Sequence, residues 1–363
     1  MAERDEEESC VKIVFSRTQL SHAPQQYGVH GRLTKPLENP DRAQTLLERL
    51  TEEGLVHREP DDAGLAAITA VHADHYVEFL RTAYGRFQTL KNAGPEVLPN
   101  VHPYHSGAPV LGMRPRPRTT GILGQTGWYI GDLSCALGEN TFDAVYASAM
   151  TAASAADLVL SGEPAAYALC RPPGHHAYGD RASGFCFFNN AAIAATRLRR
   201  VYGKVAILDF DTHHGDGTQA IFYDRGDVFT GSAHTDPTEY YPHFAGYPDE
   251  TGRDEGEGLN LNIPLAFGSD DADLLKGVDR LADAATRFGA EALVVCAGWD
   301  AHRDDPLSRL NVTSDAYARI GRMLGALNLP TVIVQEGGYS LAAVSECAPL
   351  FVDGFTSASG RAG

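Results

Sequence analysis

Short apolar runs alternate along the chain with longer segments in which apolar residues recur at helical spacing. The runs are rich in β-branched residues and predict strands at residues 11–15, 166–170, 205–208, 228–230, 293–297 and 331–335. Helical spacing falls at residues 42–53, 75–91, 142–160, 190–201, 272–288 and 314–327. Because the runs are apolar throughout, we expect strands buried on both faces. The alternation predicts an α/β fold, with a mostly parallel sheet flanked by helices on both faces.

One segment interrupts this alternation. Residues 92–120 contain six prolines and several glycines, without a helical or strand period. A loop of this length in a compact domain is usually functional or disordered. We therefore expect an insertion that shapes a substrate entrance or an oligomer contact, or else a surface loop without a role. With no repeat and no linker elsewhere, we expect a single domain over residues 1–363.

Polar side chains follow five of the predicted strands. In an open α/β sheet, ligands bind beyond the carboxyl ends of the strands. The candidates there are His175, His176, Asp209, Asp211, His213, Asp216, Ser232, His234, Asp300 and Tyr339. Carboxylates and imidazoles are costly to bury unless they are paired or bind a metal ion. Their concentration at one edge therefore predicts a bound cation.

Asp211 and His213 are the first predicted metal ligands. They are two residues apart, so in extended backbone their side chains point to the same face. Asp300 is the best third ligand because it also follows an apolar strand. Two carboxylates and one imidazole leave a zinc ion an open position for water and a carbonyl oxygen.

His175 and His176 are the predicted proton-transfer groups. Asp209 and Asp216 are available to orient them through their second ring nitrogens. One histidine would take a proton from water, and a histidine would return one to the leaving amine. Tyr339, in a glycine-preceded turn, would stabilise the oxyanion. The predicted reaction is attack of water on an amide.

The remaining polar residues in these motifs have simpler interpretations. We expect His214 and His234 to be packed beside the site, because a fourth protein ligand would suppress catalysis. Asp304 and Asp305 are interpreted as loop carboxylates. Ser232, with the backbone carbonyls around Asp209, Asp211 and His213, offers an all-oxygen pocket suited to a hard monovalent cation.

The composition of the chain limits the kinds of molecule that we expect it to bind. The formal net charge of −17 repels phosphate backbones, so we expect no nucleic-acid binding and only slightly favour a cationic substrate. The six cysteines contain no C-x-x-C pair and are interpreted as reduced core residues. Since the N-terminus is acidic and no apolar stretch reaches about 20 residues, we expect no membrane span and a cytoplasmic location.

Five motifs now carry a family resemblance. They are residues 171–177 (RPPGHHA), 184–190 (GFCFFNN), 209–217 (DFDTHHGDG), 298–306 (GWDAHRDDP) and 336–339 (EGGY). Together they resemble the histone deacetylases and acetylpolyamine amidohydrolases of the arginase-like superfamily, over essentially residues 11–352. The resemblance implies an arginase/deacetylase-like fold and a zinc-dependent deacetylase, with the zinc ligands, histidine pair and tyrosine already identified.

The resemblance also implies roles that the residues alone do not. Phe185 and Tyr241 match the aromatic walls of the acyl channel, and the Gly184 carbonyl matches the acceptor of the substrate amide N–H. A structural potassium ion is implied on Asp209, Ser232 and the carbonyls of Asp211, His213 and Ala233. A second potassium ion is implied on the carbonyls of Phe222, Arg225 and Val228.

The substrate stays open. Residues 240–252 and the proline-rich insertion look most like the bacterial acetylpolyamine branch, in which the insertion narrows the channel across a homodimer. Leu307, however, stands where a polyamine-selective relative carries a gatekeeping Glu, and Leu123 stands where the bacterial enzyme presents an acid. Asp216 matches a position that is usually Asn in that branch. Acetylated polyamines or similar small amines, acetyl-lysine in proteins and natural-product amines all remain candidates.

Two hypotheses from other functional classes also remain. A binuclear manganese ureohydrolase on the same fold would need more bridging carboxylates than Asp211 and Asp300 supply. A non-catalytic acyl-amine sensor would have no use for Tyr339 as an oxyanion donor or for the histidine pair.

Overall fold

The computed structural model describes residues 11–103 and 113–359. The strands are β1 (Val11–Val14), β2 (Tyr27–Val29), β3 (Arg32–Thr34), β4 (Val56–Arg58), β5 (Ala165–Ala168), β6 (Val205–Asp209), β7 (Val228–Thr235), β8 (Asn260–Leu265), β9 (Ala292–Ala297) and β10 (Thr331–Gln335). The helices are α1 (Pro40–Glu52), α2 (Leu65–Thr69), α3 (Asp74–Gln88), α4 (Ile122–Tyr129), α5 (Thr141–Leu160), α6 (Asn190–Leu198), α7 (Asp216–Phe222), α8 (Asp271–Phe288), α9 (Ser314–Gly325) and α10 (Leu341–Ala358). The predicted α/β class is confirmed.

Eight strands form one parallel sheet in the order β4-β1-β5-β10-β9-β6-β7-β8, and β2 pairs with β3 in a separate hairpin. Every predicted strand lies in the large sheet. Its two edge strands, β4 and β8, were not predicted, because β4 has three residues and β8 contains Pro264. Edge strands are where proline and short length are tolerated.

The sheet separates two hydrophobic cores. In β9, Val294 and Cys296 belong to one core, whereas Leu293 and Val295 belong to the other. This alternation follows from the two-residue period of a strand. The first core is covered mainly by α3, α5 and α6, and the second mainly by α1, α8, α9 and α10.

The C-terminal helix α10 was not predicted, because Pro349 lies inside it. It packs closely against α9 at two glycines. A Cβ atom added at Gly321 would lie 2.1 Å from the Phe351 carbonyl oxygen, and one at Gly354 would lie 2.2 Å from the Ala318 carbonyl oxygen. Helix α10 begins two residues after Tyr339.

Three further predictions concern the cysteines, membrane-spanning helices and the proline-rich insertion. Cys135, Cys170, Cys186, Cys296 and Cys347 are free and buried, as expected, and Cys10 lies outside the described range. None of the described helices has the length and apolar character to cross a membrane. Residues 92–103 and 113–120 form no helix or strand, and residues 104–112 of the predicted insertion lie outside the described residues.

Candidate active site

The carboxyl ends of neighbouring strands bring the predicted polar residues to one edge. Strands β5, β10, β9, β6 and β7 are consecutive in the sheet and parallel. Their ends therefore meet, and the segments that follow them carry the histidine pair, the Asp211–His213 pair, Asp300 and Tyr339. Residues up to 164 positions apart in sequence (175 to 339) share one site as a result.

Asp211, His213 and Asp300 form a candidate metal centre. One ligand atom from each lies within 4.8 Å of the other two, and all three side chains are buried. His213 Nδ1 lies 3.1 Å from Asp211 Oδ1 and 3.2 Å from Asp300 Oδ2. Two anionic oxygens and one imidazole nitrogen are a donor set that zinc accepts.

Neighbouring groups hold the other atoms of these three side chains. The Gly337 N–H donates to Asp211 Oδ2 at 2.8 Å, and the Thr212 N–H donates to Asp300 Oδ1 at 3.0 Å. The Tyr240 hydroxyl lies 2.9 Å from His213 Nε2, which leaves Nδ1 facing the carboxylates. Within the described part of the chain, the buried Asp300 Oδ2 contacts His213 Nδ1 at 3.2 Å but accepts no hydrogen bond of good geometry. A buried carboxylate oxygen that lacks such a bond fits a site built for a cation.

The pKa shifts of Asp300 and His213 also fit a site built for a cation. Burial raises the pKa of Asp300 to about 7, and the charge of Asp211 adds to this shift. Burial lowers the pKa of His213, but the adjacent carboxylates of Asp211 and Asp300 outweigh it and raise that pKa to about 9. The cluster thus holds protons that offset its two carboxylates. A divalent cation would replace those protons, since metal ligands bind in their deprotonated forms.

The paired histidines differ in their surroundings. His175 Nδ1 lies 3.0 Å from Asp209 Oδ2, and His176 Nδ1 lies 2.7 Å from Asp216 Oδ1. Their ring centroids are 4.0 Å apart. The structure therefore places one of the two expected carboxylates against each histidine, while the catalytic roles of the histidines stay predictions.

Environment pushes the two imidazole pKa values in opposite directions. Burial lowers the pKa of His176 to about 4, and the charge of His175 lowers it further. For His175, the charges of Asp211, Asp209 and Glu336 outweigh burial and raise the pKa well above its usual range. Paired groups whose pKa values are pushed apart are suited to separate acid and base roles.

Tyr339 is held by its backbone and by its ring. Gly338 precedes it at φ +116°, a conformation that favours glycine. The N–H groups of Tyr339 and Ser340 donate to Asp305 Oδ2, and the Arg42 guanidinium carbon lies 4.6 Å from the Tyr339 ring centroid. Burial raises the pKa of Tyr339 well above its usual value, so its hydroxyl keeps its proton.

Asp305 lies in a loop, as interpreted from the sequence, but its side chain is buried. It is only 5% exposed, whereas the side chain of Asp304 is 70% exposed. The sequence signal was available in the motif at residues 298–306, but two adjacent aspartates cannot be told apart until the turn is known.

A cavity of about 440 Å³ opens onto the candidate metal centre. Its lining includes Tyr27, Asp132, His176, Gly184, Phe185, His213, Glu239, Tyr240, Tyr241, Leu307, Arg309 and Tyr339. The Tyr241 ring meets the His176 ring edge-on at 5.0 Å, and the Phe185 ring lies 5.9 Å from that of Tyr339. The predicted channel residues Gly184, Phe185, Tyr241 and Leu307 thus line one cavity with the reactive groups.

The backbone at the channel wall adopts an unusual conformation. Gly184 and Phe185 both have positive φ, at +56° and +66°. A Cβ atom at Gly184 would lie 2.3 Å from Cδ2 of His176, so only glycine fits against that ring. The Gly184 N–H donates to Asp132 Oδ2 at 3.1 Å, and the Tyr241 hydroxyl donates to the same oxygen at 2.7 Å. Asp132 therefore joins the two channel walls, a role the sequence did not indicate.

The predicted potassium and packing residues lie behind the site. Ser232 Oγ is 2.8 Å from His234 Nδ1, and the rings of His214 and His234 are 4.7 Å apart. Burial lowers the pKa of His234 to about 4, and both rings are buried. This fits the expectation that these histidines pack beside the metal centre. The potassium site on Asp209, Ser232 and Ala233 stays a prediction.

A parallel α/β sheet that brings a buried carboxylate–imidazole cluster, a histidine pair and a buried tyrosine to one edge has the groups that amide hydrolysis requires. Residues 36–355 match the histone deacetylase domain family, and the chain belongs to that family.

Similar proteins agree with this assignment. The chain is 45% identical to an acetylpolyamine amidohydrolase of Burkholderia pseudomallei, over 95% of this chain and 99% of the relative. It is 39% identical to an acetylpolyamine amidohydrolase of Mycoplana ramosa, over 91% of this chain and 95% of that protein. The crystal structure of an acetylpolyamine aminohydrolase from Burkholderia pseudomallei aligns with a TM-score of 0.91 at 44% identity, covering 96% of this chain and 99% of that one. The predicted family is confirmed.

Proposed function

We propose that the chain is a zinc-dependent deacetylase that hydrolyses small N-acetylated amines. One observation carries the proposal: the cluster of Asp211, His213 and Asp300 opens onto the same cavity as His176 and Tyr339. The relatives that match nearly the full chain are named for the hydrolysis of acetylpolyamines, which supports the choice of small amines.

A zinc ion held by Asp211, His213 and Asp300 would supply Lewis acidity, which polarises the acetyl carbonyl and makes water easier to deprotonate. His176 lines the cavity, and its Nδ1 is engaged by Asp216, so its neutral Nε2 accepts the proton of the attacking water. The water oxygen bonds to the acyl carbon, the C–N bond breaks, and the proton passes to the leaving nitrogen. The products are acetate and the free amine.

A further group stabilises the charge that develops on the acyl oxygen. The Tyr339 hydroxyl keeps its proton and can donate a hydrogen bond to that oxygen. His175 packs behind His176, with its Nδ1 3.0 Å from Asp209 Oδ2 and the two ring centroids 4.0 Å apart. It does not line the cavity, so we expect it to make no direct contact with substrate.

The shape and charge of the cavity favour a slender amine. Phe185 and Tyr241 border the path to the reactive groups, and the carboxylates of Asp132 and Glu239 line the same cavity. These two carboxylates offset the loss of the gatekeeping acid at Leu307. Arg309 also lines the cavity and opposes them, so we propose one distal ammonium group rather than a highly charged chain.

The test is turnover by zinc-loaded protein on N-acetylputrescine, N-acetylspermidine and an acetyl-lysine peptide, measured by release of acetate. We expect kcat/KM on the small amines to exceed that on the peptide by at least about 10-fold. Faster turnover of the peptide would transfer the proposal to lysine deacetylation. Absence of turnover on any acetylated amine would overturn it, leaving the non-catalytic sensor.

Three accompanying features are part of the proposal. Potassium would bind at Asp209, Ser232 and Ala233, and replacing potassium by a larger organic cation should then lower the thermal midpoint. A homodimer would form through the insertion at residues 92–120, and analytical ultracentrifugation would detect it. The cytoplasmic location remains a prediction, which fractionation of expressing cells would test.

A further inference from the structure

We propose that Tyr178 is a positioning residue for His176, and this inference rests on the proposed function. Tyr178 is two residues after His176, and its hydroxyl donates a hydrogen bond to Asp216 Oδ2 at 2.9 Å. The other oxygen of Asp216 lies 2.7 Å from His176 Nδ1. Tyr178, Asp216 and His176 therefore form a continuous line of hydrogen bonds that ends at the imidazole facing the cavity.

The matching carboxylate of His175 is held in a different way. Asp209 Oδ2 accepts from His175, and Asp209 Oδ1 accepts the backbone N–H of Asp211 at 2.9 Å. Backbone therefore fixes the carboxylate of His175, whereas a side chain fixes that of His176. The orientation of His176 is for this reason the one that a single side-chain substitution can release.

Asp216 depends on this hydroxyl because its carboxylate is buried. The residue is only 6% exposed, so an Oδ2 without a donor would have little access to water. A buried carboxylate oxygen without a partner is destabilised and turns toward any other donor. Since both oxygens belong to one planar group, a rotation that re-pairs Oδ2 also moves Oδ1 away from His176.

Tyr178 is itself fixed from several sides. The Arg181 guanidinium carbon lies 3.9 Å from the Tyr178 ring centroid, and the Tyr178 N–H donates to the Arg181 carbonyl at 2.9 Å. The Tyr178 carbonyl oxygen lies 3.1 Å from His72 Nδ1. A side chain held by its ring and its backbone can hold a carboxylate in one orientation.

The lining of the cavity separates positioning from substrate binding. His176 is among the lining residues, but Tyr178 and Asp216 are not. Loss of the Tyr178 hydroxyl should therefore lower kcat, which depends on the orientation of His176, and leave KM nearly unchanged. A hydrogen bond to a charged group accounts for a change of about 10-fold in kcat.

The experiment compares Tyr178→Phe with Tyr146→Phe in full-length, zinc-loaded protein. Tyr146 is a matched control, because its hydroxyl donates to the carboxylate of Asp62 at 2.5 Å on the protein surface. Steady-state turnover of N-acetylputrescine gives kcat and KM. The Nδ1 proton resonance of His176, assigned by its loss in His176→Gln, reports the hydrogen bond to Asp216 without any turnover.

We expect Tyr178→Phe to lower kcat about 10-fold, keep KM within about twofold and shift the Nδ1 proton resonance. Tyr146→Phe should change none of these. An unchanged kcat, a rise in KM alone or an unmoved resonance would overturn the inference. If wild-type protein turns over no acetylated amine, the proposed function fails, and the resonance alone decides whether Tyr178 positions His176.

Discussion

Asp305 accepts hydrogen bonds from the backbone N–H of Tyr339 at 2.6 Å and from that of Ser340 at 2.9 Å, both through Oδ2. Its other oxygen accepts the Leu307 N–H at 3.0 Å. One buried carboxylate thus ties the loop after β9 to the turn after β10. Asp305 therefore helps to position both Tyr339 and the channel residue Leu307.

Replacing Asp305 by Asn should displace Tyr339. An amide offers one acceptor oxygen where the carboxylate offers two, and its NH₂ group would face backbone donors. We expect Asp305→Asn to lower kcat about 10-fold, with the metal content retained. Asp304→Asn is the matched control, since the neighbouring side chain is mostly exposed. Equal effects of the two substitutions on kcat would contradict the positioning role of Asp305.

Removing the hydroxyl of Tyr339 tests its role as oxyanion donor. Tyr339→Phe should bind metal as wild type does and lose on the order of 100-fold in kcat, the scale of one oxyanion donor. Tyr317→Phe is the control, because the buried Tyr317 hydroxyl has no hydrogen-bond partner among the residues described. Timed assays of acetate release measure kcat for both variants. Near-normal turnover by Tyr339→Phe would remove this residue from the mechanism.

Asp300→Asn should lose the metal. The substitution keeps the shape of the side chain but removes one of the two anionic ligands, so the remaining donor set binds zinc more weakly. Elemental analysis after dialysis should find zinc in the wild type and little in the variant. A stoichiometric zinc content in Asp300→Asn would place the ion elsewhere.

Inhibition by a hydroxamate tests whether the metal keeps an open position. A chelating group can reach the ion only if the three protein ligands leave sites vacant. We expect competitive inhibition against the acetylated amine, together with weaker inhibition by the matching carboxamide. A hydroxamate that is no better than the carboxamide would argue for a closed site.

Stability should depend on pH through His72. Burial lowers the pKa of His72 to about 4, and its Nε2 accepts the Asn189 N–H at 2.9 Å, so the folded protein holds this ring neutral. Between pH 6.5 and 4 the unfolded chain therefore binds one more proton at this position. The free energy of unfolding falls as the pH is lowered through that window, by about 2 kcal/mol at pH 5 for this residue.

The comparison that isolates His72 uses His72→Gln. Glu336, whose pKa burial raises to about 7, acts in the opposite direction, so the total pH dependence is not diagnostic. In metal-free protein, the loss in unfolding free energy from pH 7 to pH 5 should be smaller by about 2 kcal/mol in the variant. Urea titrations at both pH values measure this difference. Parallel losses in the two proteins would show that His72 is already protonated in the fold.

The central strands and most helices were predictable because the local pattern of apolar and polar residues indicates them. Central strands such as β9 are continuous apolar runs, and each places its polar residue at the carboxyl end. Helix α10 was missed because its Pro349 breaks the local pattern, although packing against α9 stabilises the helix. Tertiary packing overrides such local signals.

The metal-ligand set was predictable because Asp211, His213 and Asp300 follow strands that parallel pairing must bring together. The supporting residues were not. Arg42 donates to the carbonyls of Gly338 and Glu336 from a helix nearly 300 positions away. Contacts of this kind depend on which loop reaches the site from outside the sheet, and no spacing rule encodes them. Asp132 and Tyr178 belong to the same group.

The most direct test is zinc titration of the metal-free protein, with turnover of N-acetylputrescine followed at each addition. We expect activity to rise linearly and to reach its plateau at one zinc ion per chain. Full activity in the metal-free protein, or a plateau that requires two ions per chain, would contradict a single metal centre at Asp211, His213 and Asp300.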